Sequence, residues 1–236
     1  MLSPKDKIKN VRIPFELSED LAYLCGVIAG DGHINIRLEK HDWLIKCVGN
    51  PKDEISFYNE VIGPLFLKLF GYQPIMRLQD CGETYGFCTW SRTIVEYLVN
   101  VGLPFGKKYD KLRIPPEFLS YEHLTAAFIR GVADTDFHLG LKRGSKKRPI
   151  YPTIVGCSKS HLFIIEIGNW LIQKGIKPRI HRRKQLDSRF KSGYAETSII
   201  EMAGHENFRK WMSLIGFAHP KNLNKVEKYK NSGGKI

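Results

Sequence analysis

Acidic residues are in short supply in this chain. Asp and Glu number 24 against 37 Lys and Arg, which leaves a formal net charge of +13 over 236 residues. A surplus of that size argues against an acidic binding surface and for a polyanionic partner, nucleic acid ahead of an anionic membrane. Cysteine is scarce too. The five (Cys25, Cys47, Cys81, Cys88, Cys157) are odd in number and contain no C-x-x-C pair. That excludes a disulfide framework and a zinc site of the usual spacing, and predicts mostly buried free thiols in a reducing compartment. No apolar run reaches the roughly 20 residues that cross a bilayer. The opening stretch MLSPKDKIKNVRIPFE has no apolar centre, so neither a membrane partner nor a signal peptide is expected. The expected setting is intracellular, the cytoplasm in a prokaryote or an organelle in a eukaryote. The eight histidines show no metal-ligand spacing.

What the chain does contain is one statement made twice. LCGVIAGDG (Leu24–Gly32) and IRGVADTDF (Ile129–Phe137) are both apolar and rich in small residues, and they carry an aspartate near the end, Asp31 and Asp136. Later landmarks recur in the same order. GNPK (Gly49–Lys52) matches GCSK (Gly156–Lys159), GYQP (Gly71–Pro74) matches GIKP (Gly175–Pro178), and VGLPFGKKYDKL (Val101–Leu112) matches IGFAHPKNLNKV (Ile215–Val226). Repetition of this kind predicts two copies of one structural unit, residues 1–115 and 116–236, with the Pro115-Pro116 pair interrupting any helix between them.

Each unit reads as αββαββα. Ser18 with Glu19 and Asp20, and Ser120 with Glu122, have the chemistry of helix N-termini. In GHINIRLE, Ile34, Ile36 and Leu38 alternate with His33, Asn35 and Arg37, and in the second copy Leu139 and Leu141 alternate in the same phase with His138, Gly140 and Lys142. Period two is a strand with one apolar and one polar face. A return strand (Trp43–Val48 and Tyr151–Gly156), an amphipathic helix, a second hairpin and a closing helix follow in each copy. The fold class expected is α+β, two pseudo-symmetric repeats, each an antiparallel four-stranded sheet with helices on one face and the other face free.

The free faces carry the candidate DNA contacts. These are His33, Asn35, Arg37, Lys40, Lys46, Arg77 and Gln79 in the first unit, and His138, Lys142, Arg143, Thr153, Arg179, His181 and Arg183 in the second. Lys and Arg neutralise phosphates, while Arg, Asn and Gln pair with base edges in a major groove that admits a two-stranded ribbon. An ordinary solvated face would mix both signs. Acids here are few (Glu39, Asp80, Glu83), so double-stranded DNA is the expected partner.

The repeated helices have small residues at helical spacing, Ala22, Gly26, Ala29 and Gly30 against Ala126, Ala127, Gly131 and Ala133. Two such helices can approach backbone to backbone and form a seam between the units. Asp31 and Asp136 then emerge side by side at helix C-termini. The unpaired carbonyls there already carry partial negative charge, which disfavours an acid by a few tenths to about 1 kcal/mol, and the two carboxylates repel. A divalent cation removes both problems. The carboxylates and the carbonyls of Gly30 and Thr135 are hard oxygen donors suited to Mg²⁺, with Mn²⁺ as a substitute. Such a site can activate water and stabilise a leaving 3′ oxygen in phosphodiester hydrolysis.

The two motifs resemble the paired motifs of the LAGLIDADG homing endonucleases. GLPFGKKYDKLRIP and GFAHPKNLNKVEKY are similar to that family's repeat-ending segments. The resemblance spans nearly the whole chain and implies the single-chain, two-motif branch, a pseudo-twofold monomer whose sheets form a DNA-binding saddle. It implies a Mg²⁺-dependent, intron-encoded enzyme that cuts both strands of a long pseudo-palindromic site across a minor groove, leaving short 3′ overhangs. Asp31 and Asp136 take the place of the metal-ligating acids. The resemblance also implies supporting polar or basic residues after the second strand of each unit, Asn50 or Lys52 and Ser158 or Lys159. The second motif departs from the family pattern at Arg130, Asp134 and Phe137. That predicts a looser or tilted seam, with Asp134 packing or capping near the helix end. Two other readings share the fold: a maturase that binds intron RNA and assists splicing, and a catalytically silent DNA-binding protein. Intact acids at both motif ends favour cleavage.

Overall fold

The computed structural model describes residues 2–109, 111–142, 150–188 and 193–236. After a short helix α1 (Pro4–Ile8), the first motif folds as α2 (Glu19–Gly30), which Ser18 starts by accepting the Leu21 N–H at 3.2 Å. Strands β1 (Gly32–Arg37) and β2 (Asp42–Gly49) form a hairpin, followed by α3 (Gly63–Phe70), a second hairpin of β3 (Met76–Gln79) and β4 (Thr84–Trp90), and α4 (Arg92–Val101). The second half opens with the single turn α5 (Pro116–Leu119) and then repeats the order. It contains α6 (Glu122–Asp136), β5 (Phe137–Lys142), β6 (Tyr151–Ser158), α7 (His161–Gln173), β7 (Arg179–Leu186), β8 (Tyr194–Ala203), α8 (His205–Leu214) and α9 (Pro220–Asn231). The two antiparallel sheets have the same topology, β1-β2-β4-β3 and β5-β6-β8-β7. This is the expected α+β architecture.

Register sorts the side chains as period two demands. Ile34 lies opposite Ile45, and Cys47 opposite Phe87, which pairs in turn with Met76. These residues face the helices, where Phe66 of α3 meets Phe87 edge-on at 5.3 Å. In the second sheet Leu139, Ile154 and Met202 line up across three strands. Each fully buried aromatic or aliphatic side chain of this kind contributes about 1.5–3 kcal/mol.

The seam is as close as two helices can come. A Cβ built on Gly26 would stand 2.0 Å from the Phe128 carbonyl oxygen, and one on Gly131 would stand 2.2 Å from the Tyr23 carbonyl oxygen. Only glycine fits at either position. The second motif's departures do not loosen it. Arg130 turns away and donates from Nε to the Ile215 carbonyl at 2.6 Å. Phe137 packs toward Trp211 with ring centroids 6.2 Å apart. It finds room because Gly156 has no Cβ, which would fall 2.2 Å from the ring.

Several local expectations need correction. Leu38 is not an inward strand residue. The strand ends at Arg37, and Leu38 begins a 3₁₀ turn, 69% exposed, because the hairpin must reverse before the period can continue. Ser120 does not cap α6. It terminates α5, and Tyr121 precedes the first helical residue with no side-chain cap. The helix after β2 carries a π-helical stretch, Phe57–Ile62, just before Pro64, whose missing N–H cannot join the regular ladder. Cys25 and Cys47 are buried as expected, but Cys81 and Cys157 are exposed. Arg143 lies outside the described residues. Among the described residues no helix is long and apolar enough to cross a membrane.

Replacing Gly131 by Ala forces a Cβ into a backbone oxygen, and overpacking of this kind costs about 2 kcal/mol or more. Thermal unfolding of Gly131→Ala should show that loss. Gly140→Ala, whose Cβ would meet nothing nearer than 3.6 Å, should stay within about 0.5 kcal/mol of the parent.

Candidate active site

Asp31 caps the C-terminal end of α2, and Asp136 is the last residue of α6. The seam makes these ends neighbours. A Cβ on Gly30 would stand 2.0 Å from Thr135 Oγ1 and 3.3 Å from Asp136 Oδ2. Thr135 turns its hydroxyl back onto its own helix, donating to the Val132 carbonyl at 3.0 Å. Among the described residues, neither Asp31 nor Asp136 has a hydrogen-bonding partner for its carboxylate.

Partial burial, with no hydrogen-bonding partner among the described residues, makes both acids weak. The Asp31 carboxyl is pushed up to about 8, first by burial and then by the charges of Asp136 and Glu54, against the pull of Lys108. Burial raises Asp136 to about 6, again against Lys108. The repulsion is mutual, so the pair loses its protons in coupled steps. Glu54 is spoken for, since its Oε2 accepts the Asn50 N–H at 2.8 Å.

The cation in this site is one that the sequence reading missed. Lys108 donates all three ammonium protons to the junction of α2 and β1, to the carbonyls of Ala29 (2.8 Å) and Gly30 (2.6 Å) at the helix end and of Gly32 (2.7 Å) at the strand start. It therefore occupies the Gly30 carbonyl that was expected to face a metal, and neutralises the negative end of the helix dipole. The available signal was the repeat-ending segment GLPFGKKYDKL, whose second lysine had no assigned role. Lys108, Gly30 and Asp136 line a cavity of ≈ 270 Å³ with Ser158, Lys159 and Thr197. A larger cavity of ≈ 660 Å³, at the turn end of the β1–β2 hairpin, holds neither carboxylate.

No family model matches the chain, and no curated protein matches it significantly by sequence. Solved structures do. The chain is similar to I-DmoI in complex with DNA and Ca, at 14% identity and TM-score 0.60, over 89% of this chain and 97% of that one. It is similar to the LAGLIDADG homing endonuclease I-GzeII in complex with its DNA target, at 9% identity and TM-score 0.54 over 92% of each chain. It also matches the homing endonuclease I-WcaI bound to its DNA recognition sequence, at 16% identity and TM-score 0.51, over 88% of this chain and 86% of that one. The fold is that of the LAGLIDADG homing endonucleases.

On the sheets of this LAGLIDADG fold, register puts most of the proposed DNA contacts on the faces away from the helices. In the first sheet His33 pairs with Lys46, Arg77 with Gly86 and Gln79 with Thr84, all out of phase with the core residues, as are Asn35 and Arg37. In the second, His138, Lys142 and Thr153 share the outer phase with Arg179, His181 and Arg183. Thr153 is nonetheless buried. Lys40 sits in the exposed turn between β1 and β2. The faces also carry acids that were not expected there. Asp42 pairs with Arg37, whose Nε donates at 2.8 Å, and Glu201 lies 3.9 Å from Lys142.

The supporting candidates separate. Ser158 and Lys159 line the Asp136 cavity, and Lys159 stands 5.3 Å from the Tyr109 ring centroid. Asn50 turns inward on its own loop, where Oδ1 accepts the Lys52 N–H at 2.9 Å. Lys52 lines a second cleft with Lys221, Lys225 and Lys228. Asp134 packs, as expected. It accepts from Tyr23 Oη across the seam at 2.9 Å, from Ala218 N at 2.8 Å and from Asn222 Nδ2 at 3.3 Å.

Raised carboxyl values make the folded state hold protons that the unfolded chain has released. Without divalent metal, stability should therefore fall as pH rises from about 4 toward 8. In EDTA at pH 8, Asp31→Asn should be more stable than the parent by at least about 1 kcal/mol. The gain should vanish near pH 4, as read by thermal melts across pH.

Proposed function

We propose that the protein is a site-specific DNA endonuclease. It acts as a monomer that binds one long, pseudo-palindromic duplex along both outer sheet faces and hydrolyses one phosphodiester in each strand, leaving short 3′ overhangs. The observation that carries this is the pair of carboxylates, Asp31 and Asp136, half-buried as neighbours at two helix ends and, among the described residues, with no hydrogen-bonding partner of their own. A pure binder of DNA or of intron RNA gains nothing from that repulsion. Two motifs in one chain supply both acids, so no second copy is needed. The chain's net charge and its two outward basic faces fit a duplex partner, and I-DmoI, I-WcaI and I-GzeII are DNA-bound in their structures.

The donor set fits a hard divalent cation. It is all oxygen, and among the described residues no group of three His, Cys, Asp or Glu side chains forms a complete protein cage. Asp31 and Asp136 would hold the ion, with water and phosphate oxygens completing its shell, as suits Mg²⁺. I-DmoI structures contain Ca or Mn. When bound, such an ion stabilises charge on a leaving oxygen and acidifies water. The chain's own residues do the rest. The sheets orient the duplex so that its scissile phosphates lie over the helix ends. Lys108 offsets the helix dipole beneath the carboxylates, and Lys159 supplies a second positive charge beside Asp136.

A library of duplex sites incubated with Mg²⁺ and sequenced at the cut ends tests this. The parent should produce double-strand breaks at one long site. Asp31→Asn and Asp136→Asn should each lower double-strand cutting at least about a thousandfold, roughly 4 kcal/mol of barrier, while still retarding the same duplex on a gel. Full cutting by either variant would assign the chemistry to other residues.

A further inference from the structure

Acids on a surface that must meet phosphates need a reason, and Asp80 is the clearest case. It follows β3 at the hairpin tip with φ +50, and Cys81 follows with φ +58. This is left-handed backbone that residues with a Cβ adopt only at a cost. Its carboxylate is held from two other strands. Lys46 Nζ on β2 donates to both oxygens at 2.6 and 2.8 Å, and Thr84 Oγ1 on β4 donates to Oδ2 at 2.6 Å. These contacts keep Asp80 below the usual carboxylate range, so at neutral pH it can only accept. Beside it, Gln79 Nε2 is buried without a partner among the described residues.

Stability does not explain the arrangement, because an exposed ion pair of this kind contributes little. Electrostatic attraction to DNA does not explain it either, since Asp80 cancels a lysine on the face that needs positive charge. Base reading does. In a major groove a carboxylate is matched best by the N4 amino group of cytosine, because the N6 amino group of adenine stands beside the N7 acceptor, which repels it, and a lysine ammonium finds O6 and N7 of guanine. Lys46 and Asp80 hold that donor and acceptor side by side.

We propose that Asp80 and Lys46 together read one C·G base pair in the half of the target under the first sheet, Asp80 accepting from cytosine N4 and Lys46 donating to guanine O6 or N7. This rests on the DNA-endonuclease reading above. The carboxylate repels the acceptor edges of guanine and thymine, is weakened against adenine by N7, and repels a misplaced backbone, so it contributes selectivity where a bare lysine would contribute only affinity.

Binding selection from a randomised duplex library in Ca²⁺, without cutting, tests it with the parent, Asp80→Ala and Asp80→Asn. The tip is exposed, so all three should fold, and matching melting curves check that. The parent should prefer cytosine at one position by about tenfold or more. Asp80→Ala should lose that preference and keep the rest of the site. Asp80→Asn should shift it toward adenine, whose N6 and N7 match an amide. An unchanged profile in Asp80→Ala, or tighter binding spread evenly over all sequences, would show that Asp80 only trims charge and would overturn the proposal. A parent that enriches no site at all would instead overturn the endonuclease reading on which it stands.

Discussion

Everything in this molecule is arranged around the contact between Gly26 and Gly131. Their Cα atoms come so close that a Cβ on either would strike the opposite backbone. Close-packed helices without side chains between them have little freedom to slide, so the ends of α2 and α6 are held in one relation. That relation sets the place of Asp31 and Asp136 and, one residue later, the start of the first strand of each sheet. The central element of the fold and the candidate chemistry are therefore the same piece of structure. A looser seam would separate the acids and splay the sheets together.

The two halves lock this seam differently. In the first, the segment after α4 sends Lys108 back to three carbonyls where α2 passes into β1. In the second, the matching segment begins α9, and Asn222, which aligns with Lys108, instead joins Tyr23 and Ala218 around the buried Asp134. Contacts between the halves flank the seam. Phe57 stacks on His219 at 4.3 Å beside the Asp53–Lys221 pair at 2.9 Å, and Glu166 accepts the Ile114 N–H at 3.0 Å. The pseudo-symmetry of the backbone thus carries unlike electrostatics. Asp31 and Asp136 share burial, their mutual repulsion and the pull of Lys108, while the charge of Glu54 acts on Asp31 in addition.

Most of the fold was legible because it is written in periods and in repetition. Alternation placed Ile34 and Leu139 inward, and small residues at matched helical positions located the seam before any coordinate did. What was not legible depends on where the chain turns. Leu38 continues the strand's period in sequence, but the hairpin reverses before it, and no local pattern marks that residue as the place. Ser120 has the right chemistry for a cap but lies one residue too early. Lys108 was hidden for a different reason. A lysine in a loop reads as solvated surface, and only the tertiary return of that loop to the junction of α2 and β1 reveals three carbonyls waiting for it. Asp42 and Glu201 escaped notice because ion pairing across strands depends on register, which a single sequence does not state.

The central claim is that two carboxylates far apart in sequence share the binding of divalent cations beneath a duplex. Anomalous diffraction from crystals of the protein with its target DNA and Mn²⁺ tests that claim most directly. The account predicts manganese bonded at about 2.0–2.4 Å to oxygens of both Asp31 and Asp136, with DNA phosphate oxygens in the same shell. Manganese bound only elsewhere, or the two side chains found on separate surfaces, would contradict it.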